Sequence, residues 1–235
     1  MSIKTALAEA TRRLEEVFQK LDVEAIGVVN LEDDPGSRLA ETAQQLLPGT
    51  NAVVVFGMEV YPEVLDLSRA DRTAGAASLN DLLVRHNEYL SGRLNKAAYD
   101  VARASRSAGY KALPLPSAGC PTDTRFLQAV FSYKHAAVAA GMGYLGRSSL
   151  LITPEYGSRV RLSCCLTEVP LETTASKTFS EMCSGCDICL SNCPSGALTG
   201  AAEDEPYAIN KFACGAFRTN AGGCSECVRL CPAGQ

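Results

Sequence analysis

Apolar residues recur along the first part of the chain at two different spacings. Residues 3–21, 37–47 and about 78–108 carry apolar side chains at helical spacing, which predicts three helices. The runs AIGVVN (25–30) and NAVVVFGM (51–58) are short, continuous and rich in β-branched residues, which predicts buried strands. Helices and strands therefore mix, and the pattern predicts an α/β (α+β) fold.

The middle of the chain continues this mixture. Residues 59–77 are polar and predict irregular structure, whereas residues 110–116 predict another strand. A helix is expected over about 123–140, and it ends at Gly141, a residue type that favours helix C-termini. The runs SLLITP and SRVRLSCCLTEVP then predict two further strands in hairpin-like order.

Polar residues around 171–180 separate this region from a cysteine-rich segment. We therefore expect two domains, residues 1–175 and 176–235. The second is short and has too little apolar content to fold alone, so bound metal would serve as its core.

The N-terminus interleaves charges with apolar residues and lacks the apolar core of a signal peptide. No apolar run approaches the length of a membrane span, so we expect a cytoplasmic protein with no membrane partner. Disulfides are rare in that reducing compartment. Eight of the eleven cysteines lie between Cys183 and Cys231, and this crowding favours metal ligation over a disulfide framework. Net charge is −4 without a long basic tract, so a nucleic-acid partner is not expected.

The cysteine spacing predicts two clusters. One run, Cys183-x2-Cys186-x2-Cys189-x3-Cys193-Pro, has the spacing by which bacterial ferredoxins hold 4Fe–4S clusters. A structural zinc site is the alternative, but zinc usually shows two x2 pairs separated by a loop. In two-cluster ferredoxins the cysteine before proline ligates the other cluster. This rule assigns cluster one to Cys183, Cys186, Cys189 and Cys231, and cluster two to Cys193, Cys214, Cys224 and Cys227.

The other cysteines and a glycine pattern do not predict a further functional site. Cys164 and Cys165 are adjacent in a predicted strand and Cys120 lies in a loop, so none of the three is expected to act in chemistry. The segment from Gly141 to Gly146 matches the G-x-G-x-x-G dinucleotide fingerprint. A helix precedes it and a strand follows, which is the reverse of the required order, so we reject a nucleotide site there.

Residues 131–235 resemble epoxyqueuosine reductases and, more distantly, reductive dehalogenases. The shared patterns are Ala-Gly-x-Gly-x-x-Gly-(Lys/Arg) at 140–147, Pro-x-x-Gly-Ser at 154–158 and Thr-x-x-Pro-Leu at 167–171. The arrangement of eight cysteines, with the lone Cys214, is also similar to theirs.

This resemblance implies a nitroreductase-like, cobalamin-binding core followed by a small bacterial-ferredoxin-like module with two 4Fe–4S clusters. It implies an oxidoreductase that passes electrons from the clusters to a bound cobalamin and reduces an unidentified substrate. A ferredoxin or flavodoxin type of protein would be the electron donor. The residues expected to contact cobalamin are His135, Gly141, Gly143, Gly146, Arg147, Ser148, Gly157, Ser158 and Arg161.

Tyr133 and Lys134 are the catalytic candidates that the resemblance implies. The epoxyqueuosine reductases carry an acidic proton donor at the position of Tyr133, whereas reductive dehalogenases use a tyrosine. The adjacent Lys134 is expected to lower the pKa of the phenol and favour proton delivery. The alternatives are that Tyr133 only packs under the Gly-rich loop (residues 140–147), and that His135 is an interior histidine whose hydrogen bonds are satisfied.

Two other functions fit the same sequence. The chain could be an activator that reduces the corrinoid of a partner protein, or a ferredoxin-type carrier without cobalamin. The chain ends three residues after Pro232, where the queuosine enzymes carry an extension for tRNA, and this also speaks against a nucleic-acid partner.

Overall fold

The structure, a computed structural model, describes residues 3–68, 76–174, 182–199 and 209–234. Its helices are α1 (Ile3–Phe18), α2 (Arg38–Leu46), α3 (Pro62–Leu67), α4 (Ala76–Ser107), α5 (Tyr133–Ala139), α6 (Ile188–Ser191), α7 (Lys211–Asn220) and α8 (Glu226–Arg229). Its strands are β1 (Ala25–Asn30), β2 (Ala52–Glu59), β3 (Ala112–Leu115), β4 (Thr122–Asp123), β5 (Gln128–Ala129), β6 (Tyr144–Leu145), β7 (Leu151–Ile152) and β8 (Val160–Thr167). None of the described helices is long and apolar enough to cross a membrane.

The chain divides into two compact units. Unit 1 comprises residues 1–58, 91–142 and 161–177, and unit 2 comprises residues 59–90, 143–160 and 178–235. The cysteine-rich segment therefore belongs to the same unit as the segment 143–160. The division of the chain into domains 1–175 and 176–235 stays a prediction, as does the cytoplasmic location.

Unit 1 is built around a four-stranded sheet of order β1-β2-β8-β3. β1 and β2 are antiparallel, with Val28 opposite Val54, and β3 and β8 are antiparallel, with Leu115 opposite Cys164. All residues of β2 from Ala52 to Met58 are buried. A strand covered on both faces has a continuous apolar run, and this explains why the pattern at 51–58 predicted it correctly.

The helices of unit 1 supply the remaining core. Leu14 of α1 and Leu94 and Val101 of α4 are fully buried. Each such side chain contributes about 1.5–3 kcal/mol of burial free energy. Two buried hydroxyls of this core are satisfied, because Ser163 donates to the carbonyl oxygen of Leu94 (3.2 Å) and Thr167 donates to Ser105 Oγ (3.0 Å).

The described part of unit 2 contains a short hairpin and several short helices. β6 and β7 are antiparallel, with Tyr144 opposite Ile152. After β7, Thr153 and Gly157 exchange backbone hydrogen bonds of 2.9 Å and close a tight turn. The helices α3, α6, α7 and α8 also belong to this unit.

Three predicted elements differ in the structure. The helix expected over about 123–140 is shorter, because α5 begins at Tyr133 and residues 122–129 form the β4–β5 hairpin. Asp123 Oδ1 accepts from the backbone N–H of Arg125 (3.0 Å), a local turn that competes with a helix. The strands at SLLITP and SRVRLSCCLTEVP do not pair with each other, since β7 pairs with β6 and β8 lies between β2 and β3.

Residues 59–77 also contain a helix that the sequence pattern did not predict. α3 begins at Pro62, a residue whose fixed φ suits the first helical turn. Residues 69–75 of the predicted irregular stretch lie outside the described residues.

Candidate functional site

The cysteine side chains of unit 2 form two groups. Burial raises the pKa of Cys189, and the thiols that raise it further are those of Cys183, Cys231 and Cys186. These four are the residues that the ferredoxin rule assigns to cluster one.

A second group surrounds Cys227. Burial raises the pKa of Cys227 to about 12, and its thiol neighbours are, in order of effect, Cys224, Cys214, Cys193 and Cys189. The thiols beside Cys214 are likewise those of Cys224 and Cys193. Cys193 is therefore close to the second group, although it follows Cys189 by only four residues.

The first group lines a small cavity. Its walls are Cys183, Cys186, Cys189 and Cys231 together with Ser148, Ile152, Met182, Ile188, Pro232 and Ala233. Within the described ranges, no three His, Cys, Asp or Glu side chains lie close enough together to hold a single metal ion. The four thiols line a cavity and do not converge on one point. This donor set fits a 4Fe–4S cluster, which takes four cysteine thiolates.

Three glycines of the predicted cobalamin site lie where segments of unit 2 approach each other. A Cβ atom at Gly143 would lie 2.1 Å from the carbonyl oxygen of Ile152, and one at Gly157 would lie 1.9 Å from that of Ala233. A Cβ at Gly146 would lie 2.6 Å from Ile152 and 3.1 Å from Cys183 Sγ. Protein atoms therefore occupy the space beside these glycines, where a bound cobalamin was expected.

Polar residues of the same stretch contact the cysteine-rich segment. Arg147 forms an ion pair with Asp187 and donates to the carbonyl oxygen of Cys186 (3.4 Å). Ser158 Oγ donates to the carbonyl oxygen of Val228 (3.4 Å), and Ser148 lines the cavity described above. These residues therefore support the cysteine loops, and their contact with cobalamin stays a prediction.

Tyr133 belongs to unit 1 and begins α5. Its hydroxyl donates to the carbonyl oxygen of Pro116 (2.7 Å). Burial raises the pKa of Tyr133 strongly, and a hydrogen bond with Cys120 raises it further. The pKa lowering expected from Lys134 is therefore wrong, because desolvation of the phenol raises its pKa.

His135 is exposed at the surface of unit 1, so its interpretation as an interior histidine is wrong. Its Nδ1 lies 2.5 Å from Ser132 Oγ. Partial desolvation lowers the pKa of His135, and the charges of Lys134 and Arg38 lower it further. A neutral imidazole of this kind retains a nitrogen lone pair, which a metal ligand needs.

Two cysteines that were not expected to act in chemistry, Cys120 and Cys164, lie beside Tyr133. Cys164 is opposite Leu115 in the sheet, one residue before the Pro116 carbonyl that Tyr133 contacts. Burial raises the pKa of Cys164 far above its ordinary value, and Cys165 and Cys120 add to this. No spacing along the chain relates Cys120 and Cys164 to Tyr133, so sequence reasoning had no signal for this group.

A buried arginine was also missed. Arg159 donates to Glu59 Oε1 (3.1 and 3.4 Å) and to the carbonyl oxygen of Gly234 (2.8 Å). The nearby Arg161, a predicted cobalamin contact, donates from Nε to Ser91 Oγ (2.7 Å), and burial lowers its pKa. The only sequence signal for Arg159 was a charge at the start of an otherwise apolar strand.

The chain is similar in sequence to two classes of reductase. It is 25% identical over 225 residues to the epoxyqueuosine reductase of Bacillus subtilis (strain 168), which covers 89% of this chain and 54% of that protein. It is 30% identical over 155 residues to a tetrachloroethene reductive dehalogenase of Desulfitobacterium hafniense, covering 58% of this chain and 26% of that protein. No protein-family model matches the chain.

Solved structures of the same classes share the fold. A catabolic reductive dehalogenase in complex with 3-bromo-4-hydroxybenzoic acid gives a TM-score of 0.72 at 17% identity, over 94% of this chain and 31% of that chain. Another, whose structure suggests a mechanism for B12-dependent dehalogenation, gives 0.70 at 17% identity, over 93% and 31%. An epoxyqueuosine reductase with an epoxyqueuosine-modified tRNA stem loop gives 0.59 at 21% identity, over 97% and 66%.

These similarities confirm the resemblance drawn from the sequence and the mixed α/β fold. They relate the chain to oxidoreductases of the iron–sulfur and cobalamin type. The chain spans about half the length of the Bacillus subtilis relative and about a third of the dehalogenase structures. The activities, substrates and partners of those whole proteins are therefore proposals for this chain.

Proposed function

We propose that this chain is an iron–sulfur oxidoreductase that uses two 4Fe–4S clusters and a cobalamin to reduce a substrate. The observation that carries the proposal is the cavity lined by Cys183, Cys186, Cys189 and Cys231. Its last ligand lies more than forty residues from the others in sequence, as an interleaved two-cluster module requires. When bound, the clusters supply one-electron transfer and the cobalamin supplies a reducible metal centre.

The ligand sets are those that the ferredoxin rule assigns. Cluster one is held by the four residues of the cavity, and cluster two by Cys193, Cys214, Cys224 and Cys227. The neighbouring thiols of Cys189 and of Cys227 support this division.

Iron analysis of paired variants tests the division. Wild-type protein made anaerobically should hold about eight irons per chain. The double variant Cys193→Ala/Cys214→Ala removes two ligands of one cluster, so about four irons should remain. The matched double variant Cys193→Ala/Cys189→Ala removes a ligand from each cluster and should lose nearly all iron. A sequential assignment, in which Cys193 ligates with Cys189, predicts the opposite pair of results.

Tyr133 is the proposed proton donor. The raised pKa keeps the phenol protonated at neutral pH and makes it a weaker acid, so its proton passes only to a strongly basic acceptor. Its hydrogen bond to Pro116 orients the hydroxyl, and Lys134 lies next to it in α5. Tyr133→Phe should abolish most turnover while iron and cobalt contents stay at wild-type values. Unchanged turnover would leave Tyr133 with a packing role.

The cobalamin would be held by the predicted contacts of unit 1, which are His135, Gly141 and Arg161. Cobalt analysis and the visible spectrum of anaerobic protein supplied with cobalamin test this part alone. Stoichiometric cobalt with corrin bands is the expected result. Iron-loaded protein without cobalt would leave an electron carrier or an activator of a partner's corrinoid.

The partners are an electron donor of ferredoxin or flavodoxin type and a small-molecule substrate. The expectation against nucleic acid is weakened, because one solved epoxyqueuosine reductase of this fold carries a tRNA stem loop. An electrophoretic shift assay with a tRNA anticodon stem loop addresses it directly, and retardation at physiological salt would overturn that expectation.

A further inference from the structure

Tyr144 has a buried hydroxyl group that lacks a hydrogen-bond partner among the described residues. It lies in β6, opposite Ile152, within the Gly-rich loop. A buried hydroxyl without a partner costs about 1–3 kcal/mol. Such a cost points to an acceptor that becomes available only in the working protein.

The Tyr144 side chain projects toward the sulfur of Cys183. Side chains two residues apart on a strand point to the same face, and the pairing of the hairpin extends to Gly146, whose N–H donates to the carbonyl oxygen of Leu150 (2.9 Å). A Cβ at Gly146 would lie 3.1 Å from Cys183 Sγ, so this face is the one that meets the cysteine. Burial raises the pKa of Tyr144 to about 12, and the largest further contribution is that of Cys183. A cysteine sulfur that ligates iron keeps lone pairs and can accept a hydrogen bond from the phenol.

The β6–β7 hairpin holds this contact in place. A Cβ at Gly146 would lie 3.1 Å from Cys183 Sγ, so the hairpin backbone approaches the sulfur closely. Ile152 of β7 lines the same cavity as Cys183. Tyr144 is therefore held by strand pairing on one side and by the loop that carries Cys183 on the other.

We propose that the Tyr144 hydroxyl donates a hydrogen bond to the Cys183 sulfur when that sulfur ligates cluster one, and thereby raises the reduction potential of this cluster. The inference rests on the proposed function, because it requires cluster one. Reduction adds a negative charge to the cluster, and a hydrogen bond to a more negative acceptor is stronger. The hydrogen bond therefore stabilises the reduced state more than the oxidised state.

The test compares Tyr144→Phe with wild type as anaerobic, iron-loaded protein. Tyr99→Phe is the control, because Tyr99 is 63% exposed and belongs to unit 1. Iron and sulfide are measured first, and the midpoint potential of each cluster is then determined by redox titration followed by electron paramagnetic resonance.

Tyr144→Phe should keep its iron and lower the potential of one cluster. The equilibrium between oxidised and reduced cluster should change about threefold to tenfold, and tenfold corresponds to about 59 mV for one electron. The potential of the other cluster, and both potentials of Tyr99→Phe, should equal those of wild type.

Iron-loaded Tyr144→Phe with unshifted potentials would overturn this inference alone. Wild-type protein without iron would overturn the proposed function, and this inference with it. If the Phe variant loses cluster one, a ring-fluorinated tyrosine at position 144 replaces it. That residue keeps the shape and donates more strongly, so it should raise the potential above that of wild type, and an unshifted value again overturns the inference.

Discussion

The ion pair between Arg159 and Glu59 should hold unit 2 together far more strongly than an exposed pair. Arg159 is only 7% exposed in its side chain and Glu59 is 21% exposed. The guanidinium also donates to the carbonyl oxygen of Gly234, beside the last cluster-one cysteine. Arg159→Met removes all of these hydrogen bonds but keeps an apolar stem of similar length.

The expected loss follows from the burial of the two partners. Breaking a buried pair costs about 3–5 kcal/mol, because the remaining charge and the carbonyl lose their partner. Glu59 can regain some water, so we expect about 3 kcal/mol, the lower end of that range. Arg85 and Glu88 in α4 are 75% and 58% exposed, and breaking such a pair costs below about 0.5 kcal/mol. Arg85→Met is therefore the matched control.

Native-state hydrogen exchange of the iron-loaded protein measures the difference without unfolding it. In peptides covering residues 143–160, Arg159→Met should exchange about a hundredfold faster than wild type, since about 1.4 kcal/mol is a factor of ten. Arg85→Met should match wild type within about threefold. Equal exchange in the two variants would refute the reasoning, because burial would then have no influence on the worth of the pair.

Three further outcomes follow. Gly143→Ala should prevent formation of the β6–β7 hairpin and halve or abolish iron loading, and full iron loading of this variant would contradict the prediction. Gly92→Ala is its control, because Gly92 has open space around it in α4, and it should raise the melting temperature through about 0.5–1 kcal/mol of helix propensity. The pKa of His135, measured by NMR titration, should lie below 6.5 and rise in the Lys134→Ala variant. The folding stability that this group contributes should fall as the pH drops below about 6.5, because the imidazole of the unfolded chain then binds more protons than that of the folded chain. Iodoacetamide should alkylate Cys120 but neither Cys164 nor Cys165 in the folded protein, because both lie in the core of the sheet; peptide mass spectrometry showing equal labelling refutes it.

Several elements were predictable because the information is local. The strand at 25–30 and the buried strand β2 follow from short apolar runs, and α2 and α4 follow from helical periodicity. The helix over 123–140 was predicted too long because the Asp123 turn competes with it through a side-chain hydrogen bond. Periodicity counts apolar positions and carries no information about such a competing acceptor.

The kind of metal group in the candidate site was also predictable from local information. Cysteine spacing alone predicts the type of metal group, because the run C-x2-C-x2-C-x3-C-P at 183–194 has the spacing of bacterial ferredoxins. Only the tertiary structure shows which atoms lie beside the glycines of residues 141–158. The atoms beside Gly143 and Gly157 belong to Ile152 and Ala233. The same holds for Tyr144 beside Cys183, Cys164 beside Tyr133, and Arg159 beside Glu59. These groups lie between thirty and a hundred residues apart, and only the folded chain brings them within reach of a hydrogen bond or a charge, whose energies fall off over a few ångströms.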